Sequence, residues 1–406
     1  MRKSFTLLLL LIFGISEIMA GGYQVRLQGH RQTAMGLVGV SLLGDASNIF
    51  YNPAGITQMN TKYSLMVGAS GIFNKTHFSL ENSVYKTEAD NPMSTPFYFY
   101  GAAKFDKLAV GIGVYTPYGS TSQWDEDWVG NQLIQKISMR AIYIQPTVSY
   151  KINDLLSLGA GFVIVLGGVE LDKAVPFESS STSGQVHLDG DATSYGFNAG
   201  VTITPNEKLN IGIDYRSHIA MKVEGGDAKF TVPSSVQGLV PEENKFSAEL
   251  PLPANLDAGV SYQVNEKLML AFELNYVFWS VYDSLSFEFE ESGDLLNSTN
   301  PREYSNKMIF RLGGEYIIND KLVVRAGGYY DPTPTNEDYF TPETVSLNTI
   351  GITCGITYKP TKNLGIDISY LHLETFEDTR SYTPDYFTGT YNSRTMIPGI
   401  GVSYNF

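Results

Sequence analysis

Five histidines, His30, His77, His187, His218 and His372, are the side chains of this chain best suited to moving protons near neutral pH, yet each stands in an unrelated context. Nucleophilic catalysis needs a Ser or Cys beside a base that a third group holds. No G-x-S-x-G, H-E-x-x-H or phosphate-loop pattern supplies one. The single cysteine, Cys354, lies in IGITCGITY on the apolar parity, so it reads as a small hydrophobe and has no second thiol to pair with. No catalytic residue, metal ligand set or cofactor motif is expected. The chemistry that spacing does support is ionic. Arg216, Arg311 and Arg325 would suit a substrate carboxylate, but Asp214, Glu273, Glu315 and Asp367 share their parity, so mutual salt bridges are the weightier reading.

Charges confined to alternate positions need strands to hold them, because successive side chains of a strand point to opposite faces. In KLNIGIDYRS, Leu209, Ile211, Ile213 and Tyr215 oppose Asn210, Gly212, Asp214 and Arg216. KLMLAFELNY repeats the pattern, with Leu268, Leu270, Phe272, Leu274 and Tyr276 against Glu273 and Asn275. The chain ends the same way in GIGVSYNF, where Ile400, Val402, Tyr404 and Phe406 share one face. Six short polar turns introduce such strands, at FDKL, INDLL, PNEKL, VNEKL, INDKL and PTKNL, and the connections between them are longer and acidic. Short turns on one side, long loops on the other and strands of ten residues or more describe a transmembrane β-barrel. Six turns joining interior strands in pairs, plus one strand at each end, make 2 × 6 + 2 = 14. The expectation is an all-β fold, a 14-stranded antiparallel barrel over residues 61–406 with its charges inside, since an Arg at the bilayer midplane costs roughly 2–4 kcal/mol on a lipid face.

The composition agrees, with 26 Tyr, 22 Phe and 39 Gly against 3 Trp. A net charge of −14 argues against a nucleic-acid partner. Residues 1–20, MRKSFTLLLLLIFGISEIMA, put Arg2 and Lys3 before a short apolar stretch and a cut after Ala20, the form of an export signal. Residues 21–60 lack alternation and carry Asn52-Pro53-Ala54. Forty compact residues of this kind would fill the lumen of a barrel too wide for wall side chains to seal; a periplasmic extension is the alternative.

The opening YQV…MG…GDAS with IFYNPAG, GVYTPYG followed by WDEDWVG, SYGFNAGVTITPNEKLNIGIDYRS, LPLPANLDAGVSYQV, YVFWSVYDSL, RAGGYYDPTPT and the terminal YNF form an ordered set running almost end to end. With them the chain resembles the FadL-type outer-membrane transporters of long-chain fatty acids and aromatic hydrocarbons. The resemblance implies a 14-stranded barrel plugged by an N-terminal hatch, uptake of a hydrophobic substrate, and release after the hatch shifts, with lateral exit at a kink in the third strand. Here that strand is LAVGIGVY, whose inward Gly111 and Gly113, the lateral-gate candidates, would mark a bend or a close backbone approach against the hatch, or ordinary curvature. Pro53 would fix the backbone while Asn52 bonds locally, holding the hatch in register; a plain turn is the alternative. Trp124 and Trp128, with Tyr329 and Tyr330, would line an outer groove or belong to the interface girdle. A general diffusion porin is the nearer rival function and a barrel enzyme the remoter one. Expected partners are a hydrophobic small molecule, outer-membrane lipid and lipopolysaccharide, and the barrel-insertion machinery reading Phe406. The family suggests a monomer in the bacterial outer membrane.

Overall fold

The computed structural model describes residues 22–406 apart from 177–182, 235–237, 239 and 292, so the export signal expected over 1–20 lies outside the described residues. Twenty-one strand segments form one antiparallel sheet that closes on itself. They make fourteen wall strands, over 63–80, 86–105, 108–123, 136–151, 156–175, 184–206, 209–231, 243–263, 268–289, 298–319, 322–331, 349–358, 364–382 and 387–405. Each of the six polar turns read from the sequence joins two of them. The first strand pairs with the last, from Ser64 opposite Asn405 to Ser70 opposite Gly399. The terminus is built into this seam, because Phe406 and Tyr63 exchange both backbone hydrogen bonds, at 2.8 and 3.0 Å. The seam leaves the sheet without a free terminal strand, which a bilayer requires of any spanning sheet.

The alternation faces the way the ionic residues demand. Leu65, Ile112, Ile213, Leu270, Phe272, Leu312, Ile352 and Ile400 are exposed on the outer surface. Cys354 shares that surface. Asp214, Glu273, Arg216 and Arg311 are buried within. A soluble protein would bury the first set and expose the second. No helix among the described residues is long and apolar enough to cross a membrane.

Residues 22–60 fill the lumen with helices His30–Thr33 and Asn48–Tyr51 and a 3-10 helix Pro53–Gln58. Wall glycines let this backbone come close. A Cβ on Gly212 would stand 1.9 Å from the Val40 carbonyl oxygen, and one on Gly313 2.2 Å from that of Met35. Above this level the wall is interrupted, at 90–96 in the second strand, 217–218 in the seventh and 253–254 in the eighth. Beyond lies an outer cap, where Trp124, Trp128, Phe78, Phe340 and Tyr391 share a buried cluster.

Candidate functional site

Asn52 is wholly buried and each polar atom of its amide has work. Its Oδ1 accepts from the Ala54 N–H at 3.2 Å, and its Nδ2 donates to the carbonyls of Val40 and Val201 at 3.0 Å each. One side chain thus joins two turns of the inner segment to the sixth wall strand. Pro53 occupies the first turn of its 3-10 helix, where a missing N–H costs nothing. Its carbonyl accepts from Ser149 Oγ at 2.5 Å. Gly200 supplies the room, since a Cβ there would meet Asn52 Oδ1 at 2.2 Å.

Beside this amide lock, the inner segment is held by charge. Arg26 donates to Asp257 at 3.1 Å and to Glu273 at 2.8 Å. The other oxygen of Glu273 accepts the N–H groups of Gly39 and Val40 at 2.7 and 2.8 Å. Arg31 reaches Glu315 at 3.1 Å, which also binds Arg325 at 2.6 Å, and Arg325 donates to Thr357. Arg216 donates to the Phe50 carbonyl at 2.7 Å and to the Tyr115 hydroxyl at 3.1 Å, and its guanidinium lies over the Phe50 ring. Arg216 and Arg325 are therefore committed to the wall and the inner segment. Arg311 differs: it stands 3.5 Å from Glu273, while its Nε and Nη1 are buried without a hydrogen-bond partner.

The third strand is irregular, but not at its glycines. Gly111 and Gly113 are paired on both sides, with Ala102 and Tyr100 and with Thr147 and Gln145. Their missing side chains make room for Ile49 of the inner segment. The break comes later. Between Tyr115 and Tyr118, Thr116 and Pro117 face the single residue Ile142, a one-residue bulge that turns the strand and leaves Pro117 with no N–H to donate. Beside it the second strand has no ladder to the third over 91–96, although Ser94 still bridges Ile72 of the first strand, and Phe97 N–H donates to Thr116 Oγ1 at 3.1 Å instead. The two irregularities open the wall.

The N-terminal stretch closes what they open. Gln24 bridges Tyr118 as a strand would, Val25 N–H donates to the Pro117 carbonyl at 2.8 Å, and Gly119 N–H donates to Tyr23 at 3.1 Å. Gln28 Nε2 takes the Thr116 carbonyl at 2.9 Å. A cavity of about 470 Å³ lies here, bordered by Asn91–Pro96, Thr116, Tyr118–Ser122, Gln24–Leu27 and Arg311. A second, apolar one of about 70 Å³ adjoins it, lined by Met139, Met221, Leu250, Leu252 and Tyr282. Tyr118, Gly119 and Met139 border both. Tyr23 stands at the apolar pocket, its hydroxyl donating to the Pro251 carbonyl and its ring edge-on to Trp279 with centroids 5.0 Å apart.

Trp124 and Trp128 do not line either cavity. They stack on each other at 4.4 Å in the outer cap, and their ring N–H groups donate to the carbonyls of Pro342 and Ile134. Tyr329 is buried on the cavity wall and Tyr330 is exposed outside. Sequence reasoning missed Arg26, Tyr23, Tyr118 and the stretch 91–96 that does not pair with the third strand. The adjacent Asn91-Pro92 and Thr95-Pro96, and Pro117 within an apolar run, were the available signals, since proline is confined to edges and bulges of sheets.

The family model described as "Outer membrane protein transport protein (OMPP1/FadL/TodX)" matches residues 12–406. Outer membrane protein P1 of Haemophilus influenzae is 26% identical over 355 residues, covering 77% of this chain and 75% of that one. The long-chain fatty acid transport protein of Salmonella typhi is 20% identical, over 82% of each. The crystal structure of a FadL homologue from Pseudomonas aeruginosa superposes with a TM-score of 0.81 at 20% identity, covering 96% of this chain and all of that one.

Proposed function

Because the chain belongs to the OMPP1/FadL/TodX family of outer membrane transport proteins, we propose that it carries long-chain fatty acids or comparably apolar molecules from outside the cell into the outer-membrane lipid, leaving sideways through the gap between its second and third strands. One observation carries this reading: the apolar pocket and the cavity in the wall share Tyr118, Gly119 and Met139, and the stretch Tyr23–Leu27 borders both, with Tyr23 at the pocket and Gln24–Leu27 at the cavity. A greasy chain entering the pocket replaces the Tyr23 ring. Displacing Tyr23 pulls on Gln24 and Val25, whose bonds to the bulge are few and lie where the second and third strands share no ladder. The substrate then passes from one apolar surrounding to another without meeting bulk water, which would cost about 0.8 kcal/mol for each methylene re-exposed.

Residues 21–60 are in this reading the hatch, after removal of a leader over 1–20, and 61–406 the barrel. Asn52, Pro53 and Ala54 keep the hatch seated while its N-terminal end moves. The gate belongs to Thr116 and Pro117, with Gly111 and Gly113 serving as the seat of Ile49. Arg311 favours a substrate with an acidic head, because it borders the wall cavity and is tied to Glu273 only loosely, at 3.5 Å. The chain acts as a monomer and needs no cofactor.

Deleting Thr116 tests the exit. With one residue fewer, the third and fourth strands regain regular register, and uptake of a radiolabelled long-chain fatty acid should fall at least tenfold with surface levels intact. Uptake at the wild-type rate in a deletion variant that folds and reaches the surface would refute the lateral route. Arg311→Gln should slow uptake of the acid and leave uptake of its methyl ester unchanged.

A further inference from the structure

Outside the lumen, the extracellular ends of the fifth and sixth strands bring together Glu170, Asp172 and His187. Asp172 lies directly opposite His187 in the ladder, and Glu170 opposite Asp189. Their parity is outward, shared with exposed Leu158, Phe162 and Leu166 lower on the fifth strand and with Tyr195 and Phe197 on the sixth. His187 stands eight residues beyond Tyr195, roughly 26 Å along the strand, and so clear of the apolar band. One ligand atom from each of the three side chains can be chosen so that all lie within 4.8 Å of one another. His187 Nδ1 is 2.6 Å from Asp172 Oδ1, and Lys136 Nζ is 2.6 Å from Glu170 Oε1.

We propose that Glu170, Asp172 and His187 form a divalent-cation site of the zinc class on the outer rim of the barrel. One imidazole with two carboxylates is a zinc donor set, and three protein ligands leave a fourth position for water. Tetrahedral ligation at about 2.0–2.1 Å separates donor atoms by roughly 3.3 Å. His187 and Asp172 must therefore part by less than 1 Å, a side-chain adjustment, while the paired strands keep their backbones fixed. The proton between them moves to His187 Nε2 or to solvent when the metal takes Nδ1. Lys136 swings away from Glu170.

A second feature draws cations to the spot. His187 also borders a polar cleft of about 450 Å³ lined by Asp189, Asp227, Glu243, Glu290 and Glu291, against Lys229 and Lys245. Five carboxylates against two ammonium groups raise the local cation concentration, and the cleft gives an open approach.

The test is zinc binding to the full-length folded chain in mild detergent, stripped with a chelator and then titrated by equilibrium dialysis with metal analysis. One zinc per chain is expected, weakened at least tenfold in His187→Ala and in Asp172→Asn and unchanged in Asp154→Asn, in a short turn at the opposite end of the barrel. Lys136→Met, which removes the competing cation and no ligand, should bind zinc at least threefold tighter. Heat-dependent gel mobility reports that each barrel is folded. No saturable binding, equal affinity in wild type, His187→Ala and Asp172→Asn, or no tightening in Lys136→Met would each overturn the site.

Discussion

Replacing Asn52 with Ala separates the seating of the inner segment from the folding of the barrel. The substitution removes one buried amide that makes three hydrogen bonds and leaves the Val40 and Val201 carbonyls and the Ala54 N–H to find other partners. An unsatisfied buried group costs about 1–3 kcal/mol. At the low end, which allows for water entering the space left by the amide, the three together cost about 3 kcal/mol. A tenfold change in an equilibrium corresponds to about 1.4 kcal/mol, so the population with this part of the segment unseated should rise about 100-fold. Amide hydrogen exchange reads that population directly when reclosing is fast. The amides of Asn52, Gly55 and Met59, bonded to the carbonyls of Asn48, Asn52 and Ile56, should exchange about 100-fold faster. Those of the fifth strand at 158–161 and 164–166, held by ladders on both sides, should not change. Equal acceleration in both regions would mean that Asn52 supports the whole barrel, and no acceleration in either would mean that the three bonds are replaced at no cost; both outcomes refute the reasoning.

Gly212→Val should unseat the segment from the wall side, because no rotamer avoids the Val40 carbonyl 1.9 Å from the new Cβ; in planar bilayers the wild type should be nearly silent and this variant should show steady conductance. Arg302→Met strands Glu343, whose carboxylate takes Arg302 Nε and Nη2 at 3.0 and 2.5 Å in the outer cap. Burial works against the Arg302 cation and the Glu343 carboxylate outweighs it, so this guanidinium holds its proton more firmly than usual. Losing one partner of such a pair costs about 3–5 kcal/mol, so protease should cut the segment around Glu343 readily in the single variant and slowly in Arg302→Met combined with Glu343→Gln. Spin labels at Leu270 should sense membrane-dissolved oxygen and labels at Glu273 should not, and the reverse would invert the barrel.

The barrel was legible because its rule is local. Alternation from Leu209 to Arg216 assigns each side chain to a face without reference to any other strand, and six recurrent turns count the strands without a register. The inward charges were legible for the same reason, and so was the competition between substrate binding and salt bridges, since acids and bases share the parity. What stayed hidden was contact between distant segments. Arg26 bears no mark that it will meet Asp257 and Glu273, more than two hundred residues on. Trp124 and Trp128 read as aromatics for a groove or for the interface girdle, and only the cap that buries them turns them inward. Gly111 and Gly113 are visibly unusual for a strand, yet the sequence does not say whether a missing side chain bends the wall or admits a neighbour; Ile49 decides that.

By itself, then, the sequence determined which residues face lipid, how many strands close the wall, and that the last strand is part of it. Each of these follows from a period of two and from the cost of placing charge in hydrocarbon, both readable one strand at a time. The tertiary structure decided where the wall opens and what stops the opening. The bulge at Thr116 and Pro117 becomes a gap only because residues 91–96 of the neighbouring strand fail to pair there, and the gap is closed only because Gln24 and Val25, a hundred residues away, supply the missing hydrogen bonds. Hydrogen-bond satisfaction between segments far apart in the chain has no period along it, so it is settled only once the barrel has closed around its own N-terminal stretch.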